Sequence, residues 1–128
     1  MVELPQQLVP TSQETEIIGS PQLARRLYGP ARPAGIGAET IYTVPAGTRT
    51  TITMLLAANT DASSPPLTNS FTLSIGPDAE DTRIFNNTEV DPGVPMALSL
   101  ELTLEEGEII QALPSNVTLT LNGREVTV

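Results

Sequence analysis

The side chains able to do chemistry in this 128-residue chain are carboxylates, hydroxyls and six arginines. The carboxylates gather in two short runs, Asp78, Glu80, Asp81 and Glu105, Glu106, Glu108. Both offer the oxygen ligands that Ca²⁺ takes, but neither has the spacing of an EF-hand loop or a calcium-binding nonapeptide. They read as solvated turn charge, and no metal is expected. Residues 86–88 and 116–118 match the N-glycosylation acceptor pattern, which is common by chance and meaningless without secretion. Arg25, Arg26 and Arg32 are placed to dock on an acidic neighbour through two-pronged carboxylate contacts. With Leu23, Leu27 and Tyr28 interleaved, they make this stretch the candidate partner-binding segment. Tyr28 and Tyr42 are the only tyrosines, and each is expected to pack its ring with the hydroxyl hydrogen-bonded.

Absences exclude more than these residues allow. There is no His, the usual general base near neutral pH and the commonest metal ligand. There is no Cys for thiolate chemistry or disulfides, and all six basic residues are Arg, so Schiff-base and P-loop lysines are missing. No catalytic residue and no cofactor are assigned, and the chain reads as a non-enzyme. The formal charge of −9 disfavours nucleic-acid backbones and anionic membrane surfaces and favours protein partners. No apolar run is long enough to cross a membrane and the first residues lack a signal-peptide pattern, so synthesis as a soluble intracellular chain is expected.

Two zones of composition organise the chain. Residues 1–38 hold five of the twelve Pro and four of the nine Gly, and their three Glu balance their three Arg. Residues 39–128 carry the whole net charge, three Arg against twelve acids. The expected division is an extended Pro/Gly-rich N-terminal arm over 1–38 and a folded domain over 39–128. Within the arm, Ser20, Pro21 and Gly29 fit the caps of a short helix from Gln22 to Tyr28. Two isolated helical turns are marginal in water, and an extended strand paired with the domain is the preferred rival.

From Glu39 onward the hydrophobic period is two, which marks half-buried strands. Phe71, Leu73 and Ile75 alternate with Thr72 and Ser74, and Met96, Leu98, Leu100, Leu102 and Leu104 alternate with small or polar residues. Val117, Leu119 and Leu121 repeat the pattern, and residues 48–58 form a Thr-rich run around Ile52, Met54 and Leu56. Turn residues punctuate these runs at 45–47, 61–69, 76–78, 91–93, 106–107 and 114–116. Seven or eight one-faced strands of this kind predict an all-β, jelly-roll-like sandwich. Apolar positions are odd up to Leu121 and even at Val126 and Val128, so Asn122-Gly123 is read as either a hairpin turn or a bulge in one long strand.

The segment Ile41-Tyr42-Thr43-Val44-Pro45-Ala46-Gly47-Thr48, followed by a long strand closing on Asn59, resembles a family of small β-sandwich proteins of tailed-phage virions. The alternating strand from Leu98 to Leu104, the turn at Glu105-Glu106-Gly107 and the short strand Glu108-Ile109-Ile110 are similar to later parts of that family. So is a final strand with a Gly and then a Glu, as in residues 119–126. This chain departs in having Glu106-Gly107-Glu108 where Ala-Gly-Asp is more usual, and a longer Pro-rich loop at 61–69. The resemblance implies a virion structural component of the capsid or the tail, without catalysis.

The expected function is therefore a capsid decoration, or cement, protein on the virion surface. It self-associates as a trimer and lays its arm on the major capsid protein or a neighbouring copy. On that division, deleting residues 1–32 leaves the β domain folded. The alternative is a tail or baseplate module that binds a host surface glycan through loops 61–69 and 77–82, or a neighbouring tail protein.

Overall fold

A computed structural model describes residues 23–61 and 65–128. The proposed helix or strand at Gln22 begins at that limit, and the arm's first twenty-two residues lie outside it. Among the described residues there are eight strands and no helix: β1 (Arg25–Ala31), β2 (Glu39–Thr43), β3 (Thr48–Asn59), β4 (Asn69–Ile75), β5 (Arg83–Val90), β6 (Met96–Leu104), β7 (Ile109–Ala112) and β8 (Val117–Thr127). They form two four-stranded sheets in the orders β1-β8-β3-β6 and β2-β7-β4-β5.

That order has a simple origin. β1 pairs with β8, β2 with β7, β3 with β6 and β4 with β5, all antiparallel, as in one long hairpin bent at the β4–β5 turn. Rolling the hairpin sends alternate pairs to opposite sheets and brings β3 beside β8 and β4 beside β7. The result is a jelly roll, as the alternation of the sequence led us to expect. The loops 32–38, 60–68, 91–95 and 113–116 meet at one end. The loops 44–47, 76–82 and 105–108 meet at the other, where β1 begins and β8 finishes.

Between the sheets lie Val44, Ile52, Leu55, Phe71, Leu73, Leu104, Ile110, Val117, Leu119 and Leu121, all almost fully buried. Phe71 and Phe85 supply the aromatic contact, with ring centroids 5.4 Å apart and planes tilted by 44°. Each Leu or Ile buried there contributes about 1.5–3 kcal/mol relative to exposure. In β6 the expected face is observed: Leu104 is buried, Met96, Leu98, Leu100 and Leu102 pack half-buried on the core, and Ala97, Ser99, Glu101 and Thr103 are exposed.

Three expectations change. First, the division at 38/39 does not separate arm from domain, because Arg25–Ala31 is an edge strand of the first sheet and Leu27, Tyr28 and Ala31 lie along β8. The extended reading of this stretch is the observed one. Gly29 is no helix cap: it holds φ +83° beside the register shift in β1, where a Cβ would lie 2.1 Å from the Leu119 carbonyl oxygen. Deleting residues 1–32 removes β1 and uncovers its side of β8, so that cut is expected to unfold the domain and not to leave it intact.

Second, Ile52, Met54 and Leu56 do not share a face. β3 faces the core with Thr50 and Ile52, and then with Leu55, Ala57 and Asn59. Third, β8 runs unbroken from Val117 to Thr127, so Asn122-Gly123 is not a hairpin, and Gly123 and Glu125 keep the inward parity of Leu119 and Leu121. The irregularity lies opposite, where Ile52 faces Gly123 and Met54 already faces Asn122. Thr53 is the extra residue, and its hydroxyl donates to the Asn122 carbonyl at 3.3 Å.

Gly123 makes that arrangement possible. A Cβ there would lie 2.5 Å from the Thr51 carbonyl oxygen and 2.8 Å from Leu27 Cδ1. Gly123→Ala is therefore expected to destabilise the fold by about 2–4 kcal/mol through overpacking against backbone. Gly37→Ala, with nothing within 4 Å, serves as the neutral control. Urea midpoints of the two variants check this.

Candidate interaction surface

The six residues expected to meet a partner do not form one patch. Leu27 and Tyr28 are half-buried and pack on the core. Burial, helped by the nearby Glu39 charge, raises the Tyr28 phenol above its ordinary pKa. Arg25, itself exposed, is committed to an ion pair with the half-buried Glu125. Arg32 sits past the far end of β1, whose residues 25–31 run only from Gly123 to Leu119 along β8, about 14 Å at the strand rise per residue, and donates to Thr60 Oγ1 at 3.1 Å. Near the start of β1 the candidates not engaged within the domain are Leu23, 87% exposed, and Arg26, which forms no ion pair among the described residues.

Arg25 belongs to a polar cluster that joins four strands across both sheets. The Tyr42 hydroxyl donates to Glu125 Oε2 at 2.5 Å, and Glu125 Oε1 accepts from Arg25. Since the phenol has one proton, the fully buried Thr50 hydroxyl is the donor in its 2.7 Å contact with Tyr42. The Tyr42 bond, with Arg25 assisting and burial opposing, holds the Glu125 carboxyl below the usual range. Burial, then the bond to Glu125, pushes the Tyr42 phenol up to about 12. This cluster fixes the first turn of β1 to the sandwich body. Sequence reading anticipated a bonded hydroxyl at Tyr42, but not that Glu125 faces inward.

The loop end is tied together by Asn59, which is nearly buried. Its Nδ2 donates to the Leu67 and Val90 carbonyls, both at 2.8 Å, and its Oδ1 accepts from the Asp61 amide at 3.0 Å and Asn69 Nδ2 at 3.1 Å. Neighbouring loops add Ser115 N to the Pro33 carbonyl and Thr68 Oγ1 to Asp91 Oδ1. Pro33, Pro65, Pro66, Pro92, Pro95 and Pro114 stiffen this end. It exposes Ile36, Leu67 and Val94, and Arg32, Pro33 and residues 114–116 line a cavity of about 410 Å³.

The opposite end is acidic. Of the two carboxylate runs, Asp78 is held by both Nε and Nη2 of Arg83 at 3.0 Å, which lowers its pKa, and Glu105 is held by Arg49 Nε at 3.1 Å. Glu106 accepts from the Gly47 amide and Glu108 from the Glu105 amide, closing their turns. Glu80 and Asp81 stay exposed. Among the described residues no three potential ligands gather around one point. The chain matches no protein-family model, no curated protein and no solved structure.

These contacts set two pH dependences and the effects of three substitutions. Glu125 has a depressed folded pKa, so its contribution is present above about pH 4.5 and fades as pH falls through the folded value. Tyr42 has a raised one, so its contribution is whole below pH 10 and is lost on rising towards about 12. Tyr42→Phe is expected to cost about 1–2 kcal/mol at neutral pH and to reduce the alkaline loss, to which Tyr28 also contributes, while Glu125→Gln makes the acid limb shallower. Denaturant titrations across pH measure both. Asn59→Asp, which aims a carboxylate at two carbonyls, is expected to cost about 2–3 kcal/mol in the same assay.

Proposed function

We propose that this chain is a non-enzymatic structural protein of a phage virion, a capsid decoration protein working as a trimer on the capsid surface. The observation that carries this reading is the anchoring of β1. Arg25, Glu125, Tyr42 and Thr50 lock the start of that edge strand to both sheets, so the twenty-two residues before Leu23 are tethered to a fixed point on a rigid body. A tether of that kind suits a protein that links neighbouring capsid subunits. Many weak contacts repeated over a lattice then add through multivalency.

Supporting it are the absence of His, Cys and Lys and the resemblance around Ile41–Thr48. Jelly rolls also serve in capsids, though the fold alone, which lectins and cupins share, is an analogy. Cupin-type chemistry needs imidazole ligands that this chain does not have. A tail or baseplate module binding a glycan would want an exposed aromatic platform. All four aromatic residues, Tyr28, Tyr42, Phe71 and Phe85, are instead buried or half-buried in the sandwich.

The test is quantitative mass spectrometry of purified virions together with capsid binding of a shortened chain. A copy number comparable to that of the major capsid protein supports decoration. A number small enough for one vertex or a tail, or absence from particles, overturns it. Removing residues 1–22 is expected to leave a folded sandwich that no longer binds capsids, whereas removing 1–32 unfolds it. Undiminished binding without residues 1–22 would remove the tether from the account.

A further inference from the structure

The outward face of the first sheet has an apolar half and a charged half. Towards the loop end, Pro30, Leu56, Ala58, Ala97, Thr118 and Thr120 line a shallow groove of about 390 Å³. Leu56, 37% exposed, is the large apolar side chain among these small ones. Towards the other end the face carries Arg26, Arg49 and Arg124 with Glu101 and Glu105. Three arginines against two carboxylates leave this face at +1 in a chain of −9. Arg49 is held by Glu105, Arg124 reaches Glu101 only at 3.9 Å, and Arg26 has no ion pair among the described residues.

The complement lies elsewhere on the same molecule. At the acidic end, loop 76–82 carries Glu80 and Asp81, both exposed and in no ion pair among the described residues, and β5 then exposes Ile84. Asp81 lies in the turn closed by the Thr82 amide on the Ala79 carbonyl at 3.0 Å, and Ile84 follows it on the second residue of β5. By register, Arg26 lies beside Asn122, and Leu56 faces Thr120 one repeat further along. Two strand spacings across and one repeat along put Arg26 and Leu56 roughly 12 Å apart. A charge beside an apolar residue on one surface thus finds the opposite charge beside an apolar residue on another.

We propose that a second copy of this chain occupies the outer face of the first sheet, setting Glu80 and Asp81 against Arg26 and Ile84 against Leu56. The two surfaces differ, so the contact is head-to-tail, and the closed oligomer of the proposed function requires its rotation to close as a ring. The inference rests on the reading that the working protein is an oligomer, and it locates that oligomer's interface. Copies joined in this way cover the least acidic face of a strongly acidic chain, where self-repulsion is weakest.

The experiment is light scattering after gel filtration of the purified full chain, at several concentrations and two salt levels, with circular dichroism as the control for folding. The wild type is expected to be a closed oligomer that weakens with salt. Arg26→Glu alone, and Glu80→Arg with Asp81→Arg, should each weaken association at least about tenfold. The three changes together in one chain should restore it, since every interface regains opposite charges. Leu56→Asp should be monomeric and folded. A monomeric wild type, an oligomer indifferent to these changes, or no restoration in the triple variant would overturn the proposal. A monomeric wild type would also remove the trimer from the proposed function, whereas an oligomer indifferent to these changes overturns the interface alone; capsid copy number and binding test decoration separately.

Discussion

Thr53 and Met54 together face Asn122, and that one-residue excess in β3 governs much of what the protein buries and displays. Side chains in a strand alternate between faces, so a single extra residue exchanges the two faces beyond it. Before it, Thr50 and Ile52 point inward; after it, Leu55, Ala57 and Asn59 do. A regular β3 would turn Leu55 out and Leu56 in, and would take Asn59 away from the Leu67 and Val90 carbonyls it satisfies. The core, the clamp on the loop end and the apolar half of the outer face share this cause. Gly123 permits it, because only a residue without Cβ lets the Thr51 carbonyl and Leu27 approach there.

The same parity carries Glu125 inside. An inward carboxylate would be costly alone, but the Tyr42 phenol and the Arg25 guanidinium complete its hydrogen bonding. Because Tyr42 belongs to the second sheet and Arg25 to the edge of the first, the cluster ties the sheets at the end where β1 enters. Arg25, which composition suggested for a partner, thereby becomes part of the frame that fixes the start of β1.

Much of the architecture was legible from alternation and turn chemistry. β6 and β8 declare their faces, and the Gly- and Pro-bearing turns separate the strands near where the loops fall. β3 misled because Ile52, Met54 and Leu56 keep period two through a bulge that no residue type announces. The arm was drawn too long because Gly29, Pro30, Pro33, Gly35 and Gly37 are as compatible with an edge strand and its following loop as with an extended tail. The arginines read as a cluster because sequence spacing hides that Arg26 lies near the start of β1 and Arg32 beyond its end. Glu125 was missed since a lone carboxylate in a strand normally faces water, and only the fold reveals Tyr42 beside it.

The register between β3 and β8 is the point on which the account turns, and backbone cross-strand NOEs in the isotope-labelled protein measure it directly. The account predicts that Ile52 contacts Gly123 while Leu55 contacts Leu121. Contact of Leu55 with Thr120 instead would mean an unbroken ladder, with Leu56 turned into the core and the outer face without its apolar centre.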